Sequence, residues 1–230
     1  MIVSIHQPDY IPYLGLFYKM WQSDIFVWLD DAQFSNDNMH HWNRVKTPQG
    51  ECTLKVPVEQ HLGDHINVVR TKDELKWKEK HLKTIEMNYL KAPYFHDYFP
   101  QFKDVLMCKY KNLADMNIAI NTMIAENFGI KPKFYRTSEM EIHTVREERV
   151  IDIVCMLGGD TYISGNGARA YQVEDHFTDR GVKLVYTDYK PIEYNQQWNK
   201  RVGFLPYMSV IDYIFNCGYD FDGVIKALRG

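Results

Sequence analysis

Residues 161–187, TYISGNGARAYQVEDHFTDRGVKLVYT, decide the fold. A short apolar strand from Thr161 to Ile163 runs into the glycine-rich turn Ser164-Gly165-Asn166-Gly167. A helical stretch follows from Ala168 to Arg180, with Gly181 as its C-cap, and a second strand spans Lys183 to Thr187. Strand, helix and strand in that order build a parallel sheet, because parallel strands need a crossover and a helix provides one that also covers the sheet. Upstream the alternation continues: a helix from about Asp115 to Phe128 capped by Gly129, a strand from Lys133 to Arg136, and a helix from Val145 to Leu157 opened by a Thr144/Glu147 capping box. Downstream, Ser209 to Phe215 reads as an amphipathic helix closing on Gly218.

Toward the N-terminus, Ile2 to Ile5 is a strand stopped by Pro8 and Pro12. Tyr13, Leu16, Phe17, Met20 and Trp21 then recur at helical spacing over Tyr13 to Gln22. The run Ile25-Phe26-Val27-Trp28-Leu29 is a buried strand ended by Asp30-Asp31. Ala32 to Gly50 is polar without period and reads as a long loop, the kind of segment that tends to carry function. Cys52 to Val58 and Ile66 to Val69 read as strands, a β-hairpin insertion near 52–69 turning through His61-Leu62-Gly63-Asp64. A helix opened by Thr71 and Glu74 runs to about Lys91, and a helical segment follows near Phe102 to Lys111. The expected fold is α/β, with a mainly parallel central sheet flanked by helices, as one domain over residues 1–230.

Composition narrows the function. Lys+Arg 27 against Asp+Glu 30 gives a net charge of −3, spread evenly, so no basic footprint for nucleic acid exists. The longest uninterrupted apolar run, Ile25 to Leu29, is far short of the ~20 residues that a bilayer needs, and the N-terminus carries no basic region ahead of an apolar one. Cys52, Cys108, Cys155 and Cys217 are dispersed, which fits a reducing compartment and a cytoplasmic location. The 16 Tyr and 12 Phe suit a core or the walls of a sugar or nucleobase site.

Ligands of parallel α/β sheets bind outside the carboxyl ends of the strands. The tips there are His6-Gln7, Asp30-Asp31 and Ser164-Gly165-Asn166-Gly167. His6 is a candidate base and Gln7 and Tyr10 candidate substrate contacts, on a turn stiffened by Pro8 and Pro12; the alternative is that His6 and Gln7 only bond loop backbone. Asp30 or Asp31 could orient a base, or merely close a turn. Asn43, Arg44 and Lys46 could hold a diphosphate, or form a solvated basic loop. The Ser164 to Gly167 turn could be an anion or oxyanion nest, or simply a turn. His40-His41 and His61 with His65 lack a third ligand at metal spacing, so no metal is expected. Walker A, G-x-G-x-x-G and G-x-S-x-G motifs are absent.

His6-Gln7-Pro8-x-Tyr10-x-Pro12-x-x-Gly15-x-x-x-Lys19, Asp24-x-Phe26, Asp30-Asp31-x-Gln33-Phe34, Asn43-Arg44-x-Lys46 and Gly50 resemble the WbqC-like family. So do Trp77, Tyr89, Tyr162-x-Ser164-Gly165, Tyr171, Ser209-x-x-Asp212 and Asn216-Cys217-Gly218, nearly to the end of the chain. The resemblance implies a place in bacterial O-antigen or other surface-polysaccharide (lipopolysaccharide) biosynthesis, with some members handling nucleotide-linked amino sugars that carry aminoacyl groups. It adds Lys19, Gln33 and Tyr171 to the expected substrate contacts. The expected function is an N-acyl transferase, with aminoacyl or glycyl transfer as the narrower form, acting on a nucleotide-linked amino sugar. The activated acyl donor, a thioester or similar, is left open, with an acyl-carrier protein or acyl-CoA as candidate partners, and no cofactor is expected. Nucleotidyl transfer, with the His-Gln-Pro loop on phosphates, and a non-catalytic carbohydrate-binding or scaffold role are the alternatives. No nucleic acid and no membrane insertion are expected, and a homodimer is left open.

Overall fold

The computed structural model describes residues 1–229. Its first elements are β1 (Ile2–His6), α1 (Leu14–Trp21) and β2 (Ile25–Trp28). An excursion follows through β3 (Trp42–Thr47), β4 (Gly50–Lys55), β5 (Val58–Glu59), β6 (Arg70–Thr71), α2 (Trp77–Tyr89), α3 (Phe95–Met107) and α4 (Leu113–Asn127). The chain re-enters the sheet with β7 (Lys133–Arg136), then α5 (Arg146–Met156), β8 (Thr161–Ser164), α6 (Glu174–Thr178) and β9 (Lys183–Tyr186). It ends with α7 (Asn199–Val202), α8 (Val210–Cys217) and α9 (Phe221–Arg229).

The central sheet has five strands in the order β7-β2-β1-β8-β9, and every pair is parallel. The chain winds outward through β1, β2 and β7, then returns to the other side of β1 for β8 and β9. Winding therefore reverses between β1 and β8, and the crevice outside the carboxyl ends at such a reversal is the place where open α/β sheets take ligands. The β1–β2 ladder continues to His6↔Trp28, whereas the β1–β8 ladder stops at Ser4↔Ile163. The two strands thus part before β1 ends. The His6 carbonyl points to β2 and accepts from the Leu29 amide at 2.8 Å, so by alternation the Ile5 carbonyl points toward β8, where the ladder has ended. The Lys19 ammonium donates to it instead, at 2.8 Å.

Alternation along the strands explains the two cores. Val3, Ile5, Ile25 and Val27 face a cluster with Ile153, Val154 and Phe177 from α5 and α6. Phe26 and Trp28 face a larger cluster with Phe17 and Met20 of α1, Ile120 and Ile124 of α4, and Phe215 of α8. A strand buried on both faces reads as an unbroken apolar run, which is why Ile25 to Leu29 has no period.

Away from the sheet, several expectations are corrected. Residues 42–47 are not loop but strand β3, paired with β4 from Trp42↔Lys55 to Thr47↔Gly50. Asn43 and Lys46 are fully buried there, bonded to polar partners, so polarity does not report exposure. The expected pairing through His61 to Asp64 reduces to Val58↔Thr71 and Glu59↔Arg70. Helix α3 begins at Phe95 rather than near Phe102, because Phe95, Phe99, Phe102 and Leu106 form one apolar stripe with Pro100 inside the helix. The stretch expected as a helix from Ala168 shrinks to the 5 residues of α6, preceded by a 3-10 turn over Asn166–Ala170. Thr144 and Glu147 make no capping box: Thr144 donates to Asp152 at 2.8 Å, and Glu147 accepts from the Val173 amide at 2.8 Å.

Candidate active site

Between β1 and α1 the chain crosses the protein as a buried loop, and buried backbone needs partners. Each carbonyl from Pro8 to Pro12 has one. Asn117 donates to Pro8 O (2.8 Å) and Asn121 to Asp9 O (2.8 Å), both from α4. Asn43 of β3 donates to Tyr10 O (3.0 Å) and Ile11 O (2.9 Å), the Ser209 hydroxyl also reaches Ile11 O (2.7 Å), and the Val210 amide reaches Pro12 O (2.8 Å). Ile11 sits at φ +38, a conformation that costs a β-branched residue on the order of 1–3 kcal/mol and persists only where the surroundings over-determine it. The Tyr10 side chain is sealed in the core, its hydroxyl 2.9 Å from His81 Nδ1. Tyr10 and Asn43 therefore hold the loop's shape from behind.

What this scaffold presents is a histidine–carboxylate pair. His6 Nε2 lies 3.4 Å from Asp9 Oδ2, with the His6 side chain 37% exposed and that of Asp9 17%. Next to it, His40 Nε2 is 2.9 Å from Gln7 Oε1, and His40 Nδ1 faces the Ser35 amide at 3.4 Å. The amide oxygen and the amide N–H fix that ring as neutral with the proton on Nε2. Burial pushes the His40 pKa down, and so does His6, while Asp9 pulls it up. His6, Gln7, Asp9 and His40 thus gather at the tip of β1. Behind them Lys19 is buried at the parting of β1 and β8, and burial lowers its pKa to about 7.

One wall is aromatic. Tyr13 packs against Tyr189 (5.8 Å between ring centroids) and Tyr207 (5.5 Å). Gly15 makes the packing possible, since a Cβ there would come 2.2 Å from the Tyr13 ring and 2.8 Å from that of Tyr189. Next to β1 is the end of β8: Ser164 is buried, its carbonyl accepting from the Thr187 amide (2.9 Å), and Gly165 opens the 3-10 turn. Tyr171 is 72% exposed beyond that turn.

Other expected site residues are engaged by other partners. Asp30 is fully buried, with Arg136 Nε (2.9 Å), Thr137 Oγ1 (3.3 Å), the Ser138 amide (3.0 Å) and Ser138 Oγ (2.7 Å) on its carboxylate. Asp31 binds Thr137 (2.6 Å) and Arg149; burial alone would raise its pKa, but these donors hold it below the usual carboxylate range. Both carboxylates brace β2 against β7 and α5. Gln33 is exposed on a neighbouring loop. Arg44 pairs with Glu51 at 2.7 Å on the hairpin. The Lys46 ammonium is capped by Gln196 Oε1 (2.8 Å), Asn199 Oδ1 (2.6 Å) and Gly203 O. Gln196 also donates to Asp212 (2.9 Å), which accepts from Tyr89 and Tyr194 at 2.6 Å each. Burial raises the Asp212 pKa and lowers that of Lys46. Arg44 and Lys46 thus belong to the hairpin and to a sealed polar network, not to the His6 pair.

Asp9, His40, Tyr13 and Tyr189 are additions to the expected set. Asp9 was legible as the carboxylate nearest His6 in its own turn. Asn117 and Asn121 were legible as an i, i+4 polar pair on an otherwise apolar helix face. Nothing in the sequence links Tyr189 to Tyr13. No group of three or more His, Cys, Asp or Glu able to hold a metal occurs among the described residues, and no described helix is long and apolar enough to cross a membrane.

The family model described as "WbqC-like protein family" matches residues 7–221, from the Gln7 loop through α8. An uncharacterized protein of Mycobacterium tuberculosis, Rv1507c, is 28% identical over 230 residues, covering 99% of this chain and 98% of that protein. No solved structure matches the chain.

Proposed function

We propose, from the premise that the chain belongs to the WbqC-like protein family, that it is an N-acyltransferase acting on a nucleotide-linked amino sugar. The observation that carries the reading is the half-exposed His6 imidazole, 3.4 Å from Asp9, on a loop whose carbonyls from Pro8 to Pro12 are tied, at the crevice where the sheet reverses its winding. An imidazole oriented by a carboxylate is suited to general-base catalysis. The amine nitrogen of the sugar attacks the thioester carbonyl of the donor, His6 takes the proton that the amine loses, and Asp9 stabilises the imidazolium. The backbone amides of the turn after Ser164 are the donors we assign to the oxyanion. As the tetrahedral adduct collapses, the C–S bond breaks, the thiolate leaves, and the proton on His6 passes to it. Tyr13, Tyr189 and Tyr207 offer apolar faces with polar edges for a sugar or base.

Nucleotidyl transfer has less support, because Arg44, Lys46 and Lys19 each already have an acceptor and none offers a free cation to a phosphate beside His6. The test is thiol release with acyl-CoA donors and UDP- or dTDP-linked amino sugars. His6→Asn should lower kcat by about 10²- to 10⁴-fold, with circular dichroism unchanged. An unaltered kcat in that variant removes His6 from the chemistry and favours a carbohydrate-binding role.

A further inference from the structure

We infer that the hollow between residues 33–37 and 60–63 is a subsite for the ring of an amino-hexose, joined to the His6 crevice through His40. The inference rests on the transfer reading above and names where the sugar of its acceptor docks first, before its amine is released to the His6 crevice. The hollow measures about 530 Å³, within the ~300–1,000 Å³ of small-molecule sites.

Its lining selects the ligand. Gln33, Asn36 and Gln60 bring three carboxamides, and each offers a donor and an acceptor, the pairing that a ring of hydroxyls requires. Asp37 adds a carboxylate, while neither Lys nor Arg is among the lining residues. A phosphate would meet no permanent cation there and would face a negative charge. An ammonium on the ring would gain a charge-assisted bond to Asp37.

The walls are built rather than loose. The Phe34 amide donates to Asp64 O at 2.8 Å, the Ile66 amide to Ala32 O at 2.9 Å, and Gln33 and His65 form an antiparallel bridge between them. Asp64 closes the second loop by accepting from the His61 amide at 2.6 Å.

The His40 imidazole links this hollow to the His6 loop. Ser35, in its wall, donates its amide to His40 Nδ1 at 3.4 Å, and His40 Nε2 meets Gln7 Oε1 at 2.9 Å, one residue from His6. The Phe34 ring packs on His40 with centroids 5.7 Å apart, so a ligand seated against this loop also fixes the His40–Gln7 contact.

The test uses the full chain with glucosamine, glucose and inorganic phosphate as probes, by saturation-transfer NMR and calorimetry. Glucosamine should bind about 5- to 10-fold more tightly than glucose, the gain of one exposed charge-assisted bond. Asp37→Asn should erase that difference, and Asn36→Trp, at an exposed position whose indole fills the hollow, should abolish binding of both sugars. Phosphate should not compete. Failure of the native chain to bind either sugar, binding unaffected by Asn36→Trp, or competition by phosphate overturns the subsite. His6→Asn should keep sugar binding, which separates the two readings: glucosamine bound in the hollow of a native protein that transfers no acyl group overturns the transfer reading and leaves the subsite standing.

Discussion

Two polar assemblies hold motif residues of this chain, and they are built to opposite ends. Around residues 7–12, the carboxamides of Asn43, Asn117 and Asn121 grip backbone carbonyls, and the titratable side chains His6 and Asp9 are left facing outward. Around Lys46 and Asp212, the titratable side chains are themselves the object of the hydrogen bonds, and Gln196, Asn199, Tyr89 and Tyr194 leave them no free valence. In the first, neutral groups hold shape so that charged or titratable ones can act; in the second, charge holds the segment between β9 and α8 against the hairpin. A buried cation with all of its protons donated is a fastening. A half-exposed imidazole beside one carboxylate is a reagent.

That contrast can be broken by experiment, and the largest effect should come from the outward-facing pair. Asp9→Asn should lower kcat with an amino-sugar acceptor by about 10²-fold or more through loss of imidazole orientation, with little change in melting temperature. A variant that instead unfolds would place Asp9 with the fastenings. Lys46→Met should do the reverse, costing about 3–5 kcal/mol in urea unfolding because three acceptors and Asp212 lose their cation. If stability hardly moves while KM for the nucleotide sugar rises, Lys46 is a substrate contact after all.

The pH dependence sharpens the comparison at an intermediate magnitude. Burial holds His41 and His81 at about 4, below the ~6.5 of an unfolded histidine. The unfolded chain therefore binds more protons between those values. The stability contributed is fully present above about 6.5 and is lost as pH falls toward 4, on the order of 3 kcal/mol per histidine. Both ring nitrogens of His41 are buried without a partner, so His41→Phe should flatten the acid limb of an unfolding curve measured from pH 7 to 4. An unchanged acid limb would mean that His41 is protonated or solvated in the fold. The smallest effect is expected at Asn121→Ala, which orphans only the Asp9 carbonyl and should cost about 1–3 kcal/mol. Activity should fall more than stability implies, since the same residue carries the His6 partner; kcat measured well below the melting temperature checks this.

The sequence by itself determined the class of fold and the resemblance to the WbqC-like family. Hydrophobic period and capping glycines report how each segment is buried, and the alternation after residue 115 can only close as a parallel sheet with helical crossovers. It also determined that His6 stands at a strand tip, because a run of apolar residues ending in His-Gln-Pro cannot continue as strand. Only the tertiary structure decided which polar residues meet. The carboxylate beside His6 is Asp9 rather than Asp30 or Asp31, since Asp30 and Asp31 are claimed by Arg136 and Arg149, more than a hundred residues away in sequence. Lys46 reads as a loop cation until Gln196 and Asn199 close over it. Local patterning records whether a side chain faces solvent or core, because that is set by its own helix or strand. Whether a buried polar side chain is a reagent or a fastening depends on the groups brought to it by distant segments, and no local period carries that information.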